Sequence, residues 1–134
     1  MPITTETKVG VKPNLKPNQY APGLQKNLKN IKTGLIFKEG DKVVGTRYQS
    51  ENGSRVILET RDSESNSVSY RYQHEGKPVC AYDDDGDGYI DRFTYPDELN
   101  NVETYVNPKD NGEKNNFVKE HSYPGGNWNP LNWF

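Results

Sequence analysis

The residues of this chain that are best suited to chemistry form one short acidic stretch, residues 83–91, with the sequence DDDGDGYID. Counted from Asp83, aspartates stand at positions 1, 3, 5 and 9, and Gly88 stands at position 6. Alternate residues of a tightly curled loop aim their side chains at one point, and Ca²⁺ takes about six to eight oxygen ligands at 2.3–2.6 Å. This spacing predicts a calcium-binding loop.

Each position of the loop has a predicted part in holding the ion. Gly88 permits the sharp turn after position 5, where a side chain would clash. Ile90 is expected to turn away from the metal and to anchor the loop to a core. The predicted cofactor is Ca²⁺, and its predicted ligands are four carboxylates and one backbone carbonyl, those of Asp83, Asp85, Asp87, Asp91 (directly or through a water) and Tyr89 (through its carbonyl oxygen).

The pattern D-x-D-x-D-G-x-x-D resembles the calcium loops of EF-hands, dockerins and thrombospondin type 3 repeats. Its stricter form, D-x-D-G-D-G-x-x-D, is similar to the calcium loops on the β-hairpins of integrin-type propeller repeats. The resemblance covers nine of 134 residues, so it concerns a site and not a whole family. An EF-hand loop requires a glutamate at position 12, where this chain has Thr94. Asp97 or Glu98 is a candidate for an additional ligand.

The segments on either side of the loop have the composition of strands. Residues 79–82 (VCAY) and 92–95 (RFTY) show no helical spacing of apolar residues. Pro96 would block the continuation of a helix beyond them. We therefore expect the loop to join two strands of a β-hairpin.

From residue 34 onward, short β-rich segments alternate with turns, among which Asn52-Gly53 is a strong hairpin signal. The predicted fold is mainly β, an antiparallel meander of about six or seven short strands arranged as stacked hairpins. The candidate strands are residues 35–37, 42–49, 55–60, 68–74, 79–82, 92–95 and 102–106.

An internal repeat supports stacked hairpins over a mixed α/β fold. The sequence RYQSE at residues 47–51 recurs as RYQHE at residues 71–75, and each copy precedes a turn and a β-rich segment. The loop after the first copy, Asp62 to Ser67, has oxygen-bearing side chains at alternate positions and resembles a degenerate calcium loop. We expect no metal there, because Ser67 stands where a glycine is needed and the charge is lower.

Two segments of different composition flank the predicted β-hairpin domain, which spans residues 34–106. Residues 1–30 are rich in proline and lysine and predict an extended basic arm. Residues 107–134 predict an irregular tail that ends in aromatic anchors. That tail either packs onto the chain's own hairpins or docks on a neighbour, since tryptophan is a preferred interface residue. Its candidate contact residues are Trp128, Trp133 and Phe134.

Composition excludes several classes of protein. The single cysteine rules out an internal disulfide framework, and the net charge of −2 argues against nucleic-acid binding. No stretch approaches the roughly 20 apolar residues of a membrane span. No apolar segment of a secretory signal follows Met1, so either the chain stays where it is made or it leaves by a route that needs no cleaved signal. A processed fragment or a virion component would have the same appearance. The expected location is extracellular, on the cell surface or in a virion.

No catalytic constellation is visible around the two histidines, His74 and His121, and no nucleophile elbow, P-loop or zinc ligand set occurs. We therefore expect a protein that is not an enzyme. The predicted function is that of a calcium-stabilised structural or adhesion module of an extracellular, cell-surface or virion assembly, which contacts protein neighbours through its termini. Two alternatives stay open: a glycan- or peptide-binding β module, and a small secreted toxin or hydrolase with structural calcium.

Overall fold

A computed structural model of the chain describes residues 2–17, 19–62, 64–109 and 116–120. These residues form one nine-stranded antiparallel sheet in which each strand pairs with the next along the chain, so the predicted β meander is confirmed. No helix in those ranges is long and apolar enough to cross a membrane. The elements are β1 (Ile3–Val9), α1 (Leu24–Asn30), β2 (Ile31–Glu39), β3 (Lys42–Ser50), β4 (Val56–Arg61), β5 (Val68–His74), β6 (Lys77–Asp83), β7 (Arg92–Pro96), β8 (Val102–Val106) and β9 (Val118–Lys119).

All seven candidate strands are present as β2 to β8, and two further strands lie at the ends of the sheet. The structure differs here from the prediction of an extended arm, because residues 1–30 contain β1 and α1. It also adds β9 within the segment predicted to be an irregular tail. The sequence of β1, ITTETKV, has no alternation of apolar and polar residues by which the strand could be predicted. All seven of its residues are exposed in the structure. Its pairing with β2 is what makes it a strand.

The two faces of the sheet differ because successive side chains of a strand point to opposite sides. One face carries the buried cross-strand pairs Tyr48–Ile57 and Tyr72–Val79. The other face carries Arg47 and Arg71, which are exposed. This alternation explains the internal repeat, because each RYQ copy places its tyrosine in the core and its arginine in solvent.

The buried face is closed by the strap, which we define as residues 11–17 and 19–23, together with α1. Ala21 and Leu24 belong to the core cluster. The Tyr72 hydroxyl donates to the carbonyl oxygen of Pro22 at 2.7 Å, and the Asn27 side-chain amide donates to the Gly23 carbonyl at 2.8 Å. A polar segment that cannot form a core alone is thus ordered by the apolar surface of the sheet.

Glu59 is one of the carboxylates that lie within this buried face. The Glu59 side chain is 1% exposed, and it accepts hydrogen bonds from the Tyr48 hydroxyl at 3.2 Å and from Arg61 Nε at 3.1 Å. Burial, reinforced by the charge of Glu59, raises the pKa of Tyr48, so its hydroxyl remains a donor at neutral pH. The charge of Glu59 is tolerated because it is paired and hydrogen-bonded.

The substitution Leu24→Ala is expected to lower the free energy of unfolding by about 2–5 kcal/mol, because it leaves a cavity beneath a fully buried side chain. Leu99→Ala is the matched control: Leu99 is 80% exposed in the turn between β7 and β8, and its truncation is expected to change stability by less than about 0.5 kcal/mol. Urea denaturation followed by circular dichroism measures both. Equally small effects would show that α1 lies outside the cooperative core.

Candidate metal centre

The predicted calcium loop joins two strands of a hairpin, as the sequence indicated. Strand β6 ends at Asp83 and β7 begins at Arg92, with Tyr82 opposite Arg92. The Asp91 amide donates to the Tyr82 carbonyl at 2.8 Å and closes the base of the loop. The hairpin therefore brings the first and ninth positions of the motif side by side.

Four of the five predicted ligands come together at this loop. Each carboxylate offers one oxygen, and these oxygens all lie within 4.8 Å of one another; the residues are Asp83, Asp85, Asp87 and Asp91. Two ligands on opposite sides of a Ca²⁺ ion lie about 4.6–5.2 Å apart, twice the ion–oxygen distance. One coordination sphere therefore fits all four oxygens, and carboxylate donors suit hard cations such as Ca²⁺ and Mg²⁺. The carbonyl of Tyr89 stays a predicted fifth ligand.

Backbone amides of the loop hold the carboxylates in position. Asp83 Oδ1 accepts from the amides of Gly86 at 3.0 Å and Asp87 at 3.2 Å, and its Oδ2 accepts from Gly88 at 2.8 Å. Asp87 Oδ1 in turn accepts from the Tyr89 amide at 2.9 Å. Aspartate side chains that bond to amides a few residues ahead impose this tight curl. Asp83 Oδ2 and Asp87 Oδ1 each accept one of these hydrogen bonds and keep a second lone pair that can serve a cation.

Asp83 is the buried member of the cluster, with 1% of the residue exposed. Burial raises the pKa of Asp83 to about 6, and the neighbouring Asp85 and Asp87 carboxylates add to the rise, while the bond from the Gly88 amide opposes it. The charged form of Asp83 is therefore costly in the folded chain. A divalent cation in the cluster would offset both causes.

Two glycines allow the backbone path of the loop, with φ of 74° at Gly86 and 91° at Gly88, in the left-handed region that disfavours side chains. A Cβ on Gly86 would lie 2.5 Å from the carbonyl oxygen of Asn66, in the loop between β4 and β5. The stricter motif D-x-D-G-D-G-x-x-D contains both glycines, but it does not show what Gly86 contacts. The close approach at Gly86 involves a different loop, which no local pattern reveals.

The strap supports the acidic loop, residues 83–91, from outside. The Lys16 amide donates to the Gly88 carbonyl at 2.8 Å, and Gln19 Oε1 accepts from the Ile90 amide at 2.9 Å. Gln19 is 2% exposed and Ile90 is fully buried, so the expected anchoring of Ile90 in a core is confirmed. Sequence reasoning missed Lys16 and Gln19, because their contacts join distant parts of the chain.

Asp84 lies in the same loop but outside the four-aspartate cluster. It receives two hydrogen bonds from Arg92, at 3.0 Å from Nε and 3.2 Å from Nη2. The Arg92 guanidinium also lies 3.8 Å from the centroid of the Tyr82 ring. The paired hydrogen bonds between Arg92 and Asp84 link the two strands at the base of the hairpin. They also engage the Asp84 carboxylate outside the four-aspartate cluster.

Other candidate residues have different places. Asp97 and Glu98 are not members of the cluster, and Asp97 instead accepts from two amides in its own turn, those of Leu99 and Asn101. Asp62 likewise accepts from the Glu64 amide at 2.9 Å, and the described part of its loop forms no acidic metal cluster. His74 Nε2 lies 3.1 Å from Glu75. The remaining candidates lie outside the described residues: Trp128, Trp133, Phe134 and His121.

Comparison with protein-family models, curated proteins and solved structures finds no match to this chain. The similarity to known calcium loops therefore stays a resemblance over residues 83–91. What the fold adds to that resemblance is the convergence of four carboxylates, their orientation by backbone amides and the buried support behind them.

The substitution Gly86→Ala is expected to lower the free energy of unfolding by at least about 1 kcal/mol more than Gly53→Ala does. The Cβ at position 86 would collide with the Asn66 carbonyl and separate the acidic loop from the loop between β4 and β5. Gly53 is the matched control, since its φ of 75° carries the same penalty for a side chain but nothing lies within 4 Å. Urea denaturation of both variants in excess calcium gives the difference. Equal losses would contradict close packing between the two loops.

Proposed function

We propose that the loop at residues 83–91 binds Ca²⁺, and that the protein is a calcium-stabilised structural or adhesion module of an extracellular, cell-surface or virion assembly. The observation that carries the proposal is the convergence of four aspartate oxygens within 4.8 Å at the closed end of the β6–β7 hairpin. Four like charges this close repel one another strongly. A bound cation would turn that repulsion into a cross-link within the hairpin.

The choice of Ca²⁺ over Mg²⁺ is supported by the number of carboxylates in the cluster. Mg²⁺ demands a near-ideal octahedron at about 2.0–2.1 Å, keeps several waters and is usually held by one or two carboxylates. A loop that brings four aspartates together suits the larger oxygen shell of Ca²⁺ better. Asp83, Asp85, Asp87 and Asp91 would hold the ion, and the Tyr89 carbonyl is the proposed additional ligand.

A structural role is supported by the contacts that the loop makes with the core and with the strap. Ile90 enters the core, and the strap bonds to the loop through Lys16 and Gln19. An ion that stiffens the loop therefore stiffens the junction between the strap and the sheet. No step of a reaction is needed to explain this arrangement, and we propose that the protein is not an enzyme.

An environment outside the cytosol is supported by the ligand set. Thr94, in β7 opposite Cys80, occupies the position where an EF-hand supplies a bidentate glutamate. A loop without that ligand suits the lower affinities of extracellular modules, at about 10⁻⁴–10⁻³ M, where calcium is abundant. Contact with protein neighbours is part of the same proposal, and the fully exposed strand β1 is the feature that supports it.

Calcium is expected to raise the melting temperature relative to EDTA. A concentration 100-fold above the dissociation constant stabilises by about 2.7 kcal/mol, which corresponds to roughly 10 °C for a domain of this size. Asp85→Asn is expected to lose most of this rise, whereas Asp84→Asn, which removes a charge outside the cluster, is expected to keep it. Differential scanning fluorimetry measures all three proteins.

Magnesium at the same concentration is the ion control and is expected to give a smaller rise. A wild-type melting curve that does not respond to calcium would reduce the loop to an acidic turn. Equal responses of Asp84→Asn and Asp85→Asn would point to general charge screening instead of a defined site.

Calcium is also expected to slow hydrogen exchange at the amides of Lys16 and Ile90, because these amides bond across the junction that the ion would stiffen. The Gly10 amide, which bonds to the Lys32 carbonyl at the other end of the sheet, is the internal control and is expected to change little. Exchange measured by mass spectrometry or NMR gives the comparison. Unchanged protection at Lys16 and Ile90 in saturating calcium would contradict the link between loop and strap.

A further inference from the structure

Strand β1 presents an open edge. In the part of the chain that the structure describes, β1 pairs only with β2, and Val9 is 84% exposed at its end. Proteins usually protect such edges with proline, bulges or a covering segment, because unpaired amides and carbonyls recruit another strand. Strand β1 contains no proline and pairs with β2 without a register shift.

The direction of the backbone groups in β1 follows from one hydrogen bond. The Gly10 amide donates to the Lys32 carbonyl at 2.8 Å, and this pair continues the register in which Val9 faces Thr33. In an antiparallel pair, alternate residues direct both backbone groups to the same neighbour. The even-numbered residues of β1 therefore bond to β2. The odd-numbered residues direct their amides and carbonyls outward: Ile3, Thr5, Thr7 and Val9.

We propose that two copies of this chain join through their β1 edges, antiparallel about a two-fold axis at Thr7, and form one continuous sheet. In this arrangement Thr7 faces Thr7 of the second copy in a hydrogen-bonded pair, and Thr5 faces Val9 on either side. The proposal names a second copy as a partner of the module proposed above. It does not require the metal site, since β1 lies far along the strand order from β6 and β7.

Charge selects this register among those that the backbone allows. An axis at Glu6 would place the two Glu6 side chains face to face, and an axis at Lys8 would do the same with the lysines. An axis at Thr5 leaves Lys8 without an acidic residue opposite it. Only the axis at Thr7 places Glu6 opposite Lys8 twice, in the non-hydrogen-bonded positions where side chains approach most closely.

A neighbouring lysine extends this pairing within each copy. Lys38 Nζ lies 3.2 Å from Glu6 Oε2 across the β1–β2 pair, so the dimer would contain the alternating ladder Lys38, Glu6 and Lys8 of the second copy. Opposite charges on facing strands stabilise a sheet. The contact involves one short strand from each chain, so we expect a weak dimer whose population rises with concentration and falls with salt.

Sedimentation velocity over a concentration series of the full chain, at low salt, tests the proposal. Lys8→Glu places a carboxylate opposite Glu6 and is expected to raise the dimer dissociation constant by roughly tenfold or more. Adding both Glu6→Lys and Lys38→Glu to Lys8→Glu reverses the whole ladder, restores opposite charges at every step and is expected to recover dimerisation. Lys26→Glu, on the exposed side of α1, makes the same change in net charge and is expected to have no effect.

Thr7→Pro is a second, independent probe. It removes an amide that faces outward at the axis and no hydrogen bond to β2, so it is expected to abolish the dimer. Melting curves of every variant establish that the fold is retained. A wild-type chain that stays monomeric at all concentrations, or a dimer that Lys8→Glu and Thr7→Pro leave intact, would overturn the proposal. Running the series in both calcium and EDTA separates this outcome from failure of the metal site.

Discussion

A single-layer sheet must cover one face, and the contact between the strap and that face is the interaction on which the rest of this structure depends. Tyrosines supply much of the buried surface, because only 31% of the chain is hydrophobic. Each buried hydroxyl then needs an acceptor, and the strap provides one of them to Tyr72 through the Pro22 carbonyl. The strap is thus required by the core both for apolar cover and for hydrogen bonding.

The acidic loop at residues 83–91 is attached to the same contact. The strap bonds to the loop at Gly88 and Ile90, and Asp83 is both the last residue of β6 and the buried carboxylate of the cluster. Burial that helps to hold the loop in place also makes the charge of Asp83 costly. A cation in the cluster would remove that conflict, so the proposed ion would act on the fold as a whole and not only on one turn.

The two ends of the sheet play different roles in this description. The end near β6 to β9 contains the acidic cluster and stacked aromatic rings, with Phe93 and Tyr105 4.9 Å apart between ring centroids. At the other end, β1 is mostly polar, and its side chains are exposed on both faces of the sheet. Among the residues that the structure describes, the outer backbone edge of β1 pairs with no other strand and has the form that favours strand addition.

Sequence alone determined the local features of this protein. Strands β2 to β8 follow from alternating side chains and glycine or asparagine turns, and the acidic cluster follows from the D-x-D-G-D-G-x-x-D spacing, because neighbouring residues set both the backbone path and the ligand directions. Tertiary structure alone decided that residues 3–9 form a strand, that Leu24 is buried, that Gly86 lies against the Asn66 carbonyl and that Gln19 supports the loop. Each of these depends on a surface or a carbonyl supplied from far along the chain. No local pattern encodes such a partner, because a polar segment becomes ordered only when the folded sheet offers apolar area and hydrogen bonds that exceed its loss of conformational entropy.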